Sequence, residues 1–136
     1  MATTRDITYE ADGRTMIGTL ALPDDAAGAP GDRRPGVLVC HEGPGLDDHA
    51  RDRARRIADE LGYVAFALDY HGGGTPIADR KAMMGRIGEL RSDPARAFAV
   101  GTAGLDILKA EPRTNPGRLG RIRRLIRKIH SKKISS

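Results

Sequence analysis

A chain of 136 residues, 39% of them apolar, has room for one domain around a modest core. Its one cysteine, Cys40, excludes an internal disulfide and suits a reducing compartment. The N-terminus Met1-Ala2-Thr3-Thr4-Arg5-Asp6 lacks the apolar stretch of a signal peptide, and no run approaches the roughly 20 apolar residues of a membrane span, so a cytoplasmic location is expected. The net charge of +5 is unevenly spread. Of the 23 lysines and arginines, seven lie in residues 119–136, which hold no carboxylate, leaving 16 against 18 acidic side chains in the first 118 residues. A mildly acidic body, 1–118, and a basic tail, 119–136, are therefore expected as separate units.

Ile7–Glu10 and Thr15–Leu22 flank Ala11-Asp12-Gly13-Arg14, a turn of the Asp-Gly type, and predict an antiparallel hairpin. Pro23 to Pro35 is rich in Pro, Gly, Ala and Asp without a period, which predicts a surface loop. The unbroken apolar run Val37–His41 predicts a strand covered on both faces, as in a parallel sheet. It opens into Glu42-Gly43-Pro44-Gly45. A helix is expected over Asp48–Leu61, capped by Asp47 or Asp48, with Ala50, Ala54, Ile57, Ala58 and Leu61 as its buried stripe and Gly62 as its left-handed terminator. Tyr63–Leu68 then predicts a second buried strand, parallel to the first across a βαβ crossover.

Thr75-Pro76 predicts the start of a helix continued by Met83, Met84, Ile87 and Leu90 and weakened by Gly85 and Gly88. Ser92-Asp93-Pro94 starts another, with Phe98, Gly101, Leu105 and Leu108 on one side and Glu111-Pro112 as its end. Asn115-Pro116-Gly117 reads as a turn. A buried strand should follow it, but Arg118-Leu119-Gly120-Arg121-Ile122-Arg123-Arg124 is too charged for a central strand, and the alternation breaks there. Farther on, Ile122, Leu125, Ile126 and Ile129 share one face of a basic amphipathic helix on paper, so the tail is expected to be helical or disordered. On that basis a non-catalytic protein, using the tail on nucleic acid or an anionic membrane, is the alternative functional class.

His41, Tyr70 and His71 end the two buried strands at their C-terminal edge, where open α/β sheets place ligands, and are expected to line a pocket. Cys40 neighbours His41 on an extended segment and so points to the other face, which predicts a packing role. Gly72-Gly73-Gly74 lacks the Gly-Lys-Ser/Thr ending of a phosphate loop and reads as a tight turn. No His, Cys or Asp grouping has zinc spacing, and neither Gly-x-Ser-x-Gly nor Gly-x-Cys-x-Gly occurs anywhere in the 136 residues.

The order of hairpin, buried strand, His41-Glu42-Gly43-Pro44-Gly45 loop, helix and Ala67-Leu68-Asp69-Tyr70 segment resembles the dienelactone hydrolase family of α/β-hydrolases over about residues 5 to 118. The resemblance implies an α/β fold, here the N-terminal part of an α/β-hydrolase: a β-hairpin plus parallel strands with flanking helices, the sheet incomplete. It implies cofactor-free hydrolysis of a lactone or carboxylic ester by a Cys-His-Asp triad, and no metal. By position, Glu42 is implied to partner the nucleophilic thiol and Gly43 to give one backbone N–H to the oxyanion hole. The family's nucleophile elbow follows the strand after a turn like Asn115-Pro116-Gly117. Here the basic tail stands in its place, so the chain is expected to be truncated before the triad and inactive alone. Expected partners are a small ester or lactone once the site is completed, and a complementary C-terminal half or a second copy. Some members carry a substrate-binding arginine after the tyrosine, where this chain has His71-Gly72-Gly73.

Overall fold

The computed structural model describes residues 2–24, 33–41 and 43–122. Thr3–Ala11 (β1) and Arg14–Leu22 (β2) pair antiparallel across Asp12-Gly13, both at positive φ, 54° and 65°, which is the twist a two-residue hairpin turn needs. Arg34–Val39 (β3), Asp48–Leu61 (α1) and Val64–Ala67 (β4) follow, and β3 and β4 pair in parallel as the apolar runs predict. α1 has the bounds expected of it. The Asp47 carboxylate accepts from the Ala50 N–H at 2.9 Å, and Gly62, at φ 70°, turns the chain out while its N–H donates to the Ala58 carbonyl at 3.1 Å. Arg80–Ser92 (α2), Pro94–Ala110 (α3) and Thr114–Ile122 (β5) complete the order, and the five strands lie β1-β2-β4-β3-β5.

The side-chain period of two sorts β3 and β4 onto two faces. Val37, Val39, Ala65 and Ala67 pack with Leu46 and the Ala50, Ala54, Ile57, Ala58 stripe of α1. Leu38, Val64, Phe66 and Leu68 point the other way, with Cys40 just beyond β3, and meet Leu20 and Leu108 of α3. Phe66, Leu20, Leu68 and Leu108 are at most 1% exposed, each worth roughly 1.5–3 kcal/mol relative to exposure. α3 comes so close to the sheet that a methyl at Gly104 would sit 2.9 Å from Cβ of Leu68.

Five expectations are corrected. Leu61, expected in the buried stripe of α1, is the last residue of the helix and is 58% exposed. α2 starts at Arg80, capped by Asp79, because the Ile77 N–H is bound to the Pro44 carbonyl at 2.8 Å and residues 76–78 run outside any helix there. On α3 the buried positions are Val100, Gly104 and Leu108, whereas Phe98 is 76% exposed. Asn115-Pro116-Gly117 does not precede a strand: it is a bulge inside β5, where Pro35 faces Asn115 and Gly36 faces Leu119. The Asn115 side chain accepts from the Gly117 N–H at 3.0 Å and shapes that bulge. Finally, the charged run after it does form a strand as far as Ile122, parallel to β3 at the sheet's edge. An edge strand is paired on one side only, so Arg118 can stay in solvent while Leu119 is half-buried. The amphipathic face through Leu125, Ile126 and Ile129 lies outside the described residues.

Two substitutions separate helix propensity from packing. Gly88 has nothing within 4 Å of an added methyl, so Gly88→Ala should stabilise by about 1 kcal/mol. Gly104→Ala gains the same propensity but overpacks against Leu68, and should destabilise by about 1–2 kcal/mol in urea unfolding. Equal stabilisation by both would contradict the close helix–sheet contact.

Candidate functional site

The C-terminal edge of β3 and β4 carries two loops, and Asp69 builds the second of them. Its side chain is fully buried and accepts four backbone N–H bonds: from Ile17 at 3.1 Å and Gly74 at 2.8 Å on one oxygen, and from His71 at 3.1 Å and Gly72 at 3.0 Å on the other. Such a wrap demands a curled backbone, and Gly72, Gly73 and Gly74 supply it at φ 101°, 74° and 66°. The loop is further tied down by the Gly73 N–H on the Thr15 carbonyl at 3.0 Å and by Arg51 of α1 on the Gly74 carbonyl. Tyr9 reaches in from β1, and its hydroxyl accepts from the Asp69 N–H at 3.4 Å; burial, reinforced by the Asp69 charge, pushes the phenol up to about 12.

With the loop fixed, two imidazoles are held in defined tautomers. His41 Nε2 accepts from the Tyr70 N–H at 2.9 Å, which leaves its proton on Nδ1. His71 Nε2 lies 2.8 Å from the Gly43 carbonyl, an acceptor, so this nitrogen carries the proton and donates. The His71 Nδ1 is buried without a hydrogen-bond partner. Burial lowers the His71 pKa below the usual imidazole value, and the nearby Arg86 charge adds to this, against an opposing contribution from the Gly43 bond. His71 is a neutral donor that pins the Gly43 loop. The His41 ring stands edge-on to Tyr70 at 5.4 Å and tilted to His71 at 5.0 Å.

Of the five residues expected at the site, His41, Gly43, Tyr70 and His71 line one open cleft of about 270 Å³. Glu42 lies outside the described residues. Cys40 is buried on the α3 side, 3.9 Å from the Tyr70 hydroxyl, and is not part of the cleft wall. The remaining wall, Ile87, Leu90 and Arg91 of α2 with Ala97 of α3, was not legible in the sequence as site. The spacing of Ile87, Leu90 and Arg91 marks a helix face, but nothing local tells which edge of the sheet that helix covers. Tyr70 and Ala97 also line a larger hollow of about 410 Å³ between α3 and β5, with Leu38, Phe98, Leu105 and Leu119. Among the described residues the cleft wall holds two imidazoles, a phenol and an arginine, and no serine, threonine or cysteine. Among the described residues no three His, Cys, Asp or Glu side chains converge as metal ligands, and no helix is long and apolar enough to cross a membrane.

The His71 environment has a pH consequence. A folded pKa below the unfolded one gives stability that is complete above about pH 6.5 and is lost as the pH falls through the folded value. The melting temperature should therefore drop on acidification below pH 6.5, and His71→Gln, which keeps a donor for the Gly43 carbonyl, should flatten part of that drop. Identical pH profiles for the two proteins would refute the buried neutral histidine.

The dienelactone hydrolase family profile matches residues 16–122. Among solved structures, the chain is similar to the protein named m3DLH at 39% identity and TM-score 0.80, over 89% of this chain and 48% of that one. It is also similar to a dienelactone hydrolase-like promiscuous phosphotriesterase from metagenomic libraries, at 34% identity and TM-score 0.78 over the same shares. A cold-adapted esterase from an Arctic intertidal metagenomic library matches at 25% identity and TM-score 0.63, over 88% of this chain and 49% of that one. No curated protein matches. The chain thus spans about half the length of the solved structures it matches. A family profile covering most of the sequence, together with the match in fold to m3DLH, places this chain in the dienelactone hydrolase family.

Proposed function

We propose that this chain supplies the oxyanion-hole side of an ester or lactone hydrolase and that it does not turn over substrate by itself. The observation that carries the reading is the convergence of His41, Gly43, Tyr70 and His71 on one cleft at the sheet's C-terminal edge, in a chain of this family. In the reaction expected of the family, a thiolate attacks the ester carbonyl carbon and the C=O electrons move onto oxygen. The alkoxide then leaves with a proton, and water hydrolyses the thioester. Gly43 N–H is assigned as one donor to the oxygen on which charge develops, and Glu42 as the carboxylate beside the thiol. His71, bonded to the Gly43 carbonyl, holds that donor's loop in place.

The thiol itself is the missing part. β5 runs parallel beside β3, with Ile122 opposite Val39. The sequence that follows it, Arg123-Arg124-Leu125, holds no Gly-x-Cys-x-Gly motif. General-base and oxyanion groups without a nucleophile offer little route to turnover. The natural partner under this reading is a complementary C-terminal half that carries the elbow. The outer side of β5, paired with no other strand among the described residues, and the hollow beside it, with Phe98 exposed, suit such a partner.

Purified chain incubated with an activated ester should show no saturable hydrolysis. Adding the C-terminal half of m3DLH should generate thiol-dependent hydrolysis that Glu42→Gln lowers by on the order of tenfold to a thousandfold, while Cys40→Ala leaves it intact. Turnover by the chain alone that is lost in Cys40→Ala would place the chemistry elsewhere.

A further inference from the structure

The only fully buried residue of α2 is an arginine. Met84 is 53% exposed, Gly85 and Gly88 face open space, and Ile87 and Leu90 are half-buried over the cleft. No apolar side chain of the helix enters the core, so packing alone gives α2 little reason to stay where it is. Arg86, 3% exposed, supplies one. It donates to the Asp12 carboxylate at 2.8 Å and to the Tyr70 carbonyl at 2.6 Å. Around this pair Asp12 also meets Arg96 at 3.1 Å, Glu89 meets Arg96 at 3.3 Å and Arg14 at 3.8 Å, and Arg14 donates to the His71 carbonyl at 3.3 Å.

We infer that Arg86 is the positioning residue of the cleft: it latches α2 to the β1–β2 hairpin tip and to the Tyr70 carbonyl, and so holds Ile87 and Leu90 over the Gly43 loop. The closeness is direct, since a methyl on Gly43 would lie 3.2 Å from Cδ1 of Ile87. An arginine keeps its charge at any physiological pH, so it cannot escape burial by deprotonating. Removing the Asp12 carboxylate leaves the buried guanidinium only the longer, half-exposed carboxylate contact to Glu89 at 3.4 Å, which penalises the closed arrangement. The latch thus couples a turn far along the sheet to one wall of the cleft, whichever bond the completed site breaks. Opening of α2 exposes the His41, Gly43 and His71 side of the cleft without disturbing the α1–β3–β4 core.

The test is hydrogen–deuterium exchange on the full chain, comparing peptides over 80–92 with peptides over α1, 48–61. Arg86→Met should speed exchange in 80–92 on the order of tenfold or more and leave α1 unchanged. Arg86→Lys, whose single ammonium cannot span both acceptors, should recover part of the protection, and Asp12→Asn should loosen the same segment. Glu89→Gln, at an exposed member of the network, serves if the buried variants fail to fold. It should speed exchange in 80–92 by about two- to fivefold. Protection by methionine equal to that by arginine would show that the side chain only fills space and would overturn the inference. So would equal loosening of α1 and α2, or no response to Glu89→Gln.

Discussion

The Asp69 carboxylate is the group on which the geometry of the cleft depends. Four backbone N–H groups, one from a strand and three from a loop, converge on its two oxygens in a fully buried position. Each of those donors would otherwise be left unsatisfied, at roughly 1–3 kcal/mol apiece. One of the four belongs to His71, so the same carboxylate that closes the loop also sets the direction of the imidazole that pins Gly43. Ile17 belongs to β2, so the loop is registered to the antiparallel half of the sheet as well as to β4. Loop geometry and sheet geometry are thereby a single constraint.

Around that constraint the cleft is assembled from parts of different rigidity. Its floor, His41, Tyr70 and His71, sits at the ends of strands whose side chains are buried on both faces. Its wall is α2, held by charge at one buried guanidinium. A preorganised floor suits a site in which backbone donors must meet a charge that exists only briefly. A wall held by few contacts suits entry and exit of a small molecule.

The sequence was readable where local chemistry and burial agree. α1 shows this best: the Asp47 cap, the alanine–isoleucine stripe and Gly62 each follow from short-range rules, and its bounds follow with them. The buried strands and their parallel pairing came from apolar runs, and the two histidines from where those runs end. The misreadings share a cause, which is that long-range contacts decided the outcome. Thr75-Pro76 looks like a helix start, but the neighbouring Ile77 N–H is taken by Pro44, 33 residues earlier. Asn115-Pro116-Gly117 is turn-like, yet β3 on one side makes it a bulge. Arg86 drew no expectation at all, because its partner lies 74 residues away at a hairpin tip. Periodicity names neither Glu42 nor Gly43; only the motif context of the hydrolase resemblance singles them out as candidates.

The bulge in β5 has a further meaning for how the molecule comes together. β3, α1 and β4 are contiguous and can zip up while the chain is still short, but β5 must return across about 80 residues to find β3. With Pro116 to Arg118 looped out, the two ends of this pairing are three residues out of step, so a strand docked without the bulge can satisfy either end but not both. During synthesis on the ribosome, the β3–β4 platform can therefore mature first. Because closing a loop of that length costs entropy before any β3–β5 contact offsets it, seating β5 is expected to be slower than forming the β3–α1–β4 unit.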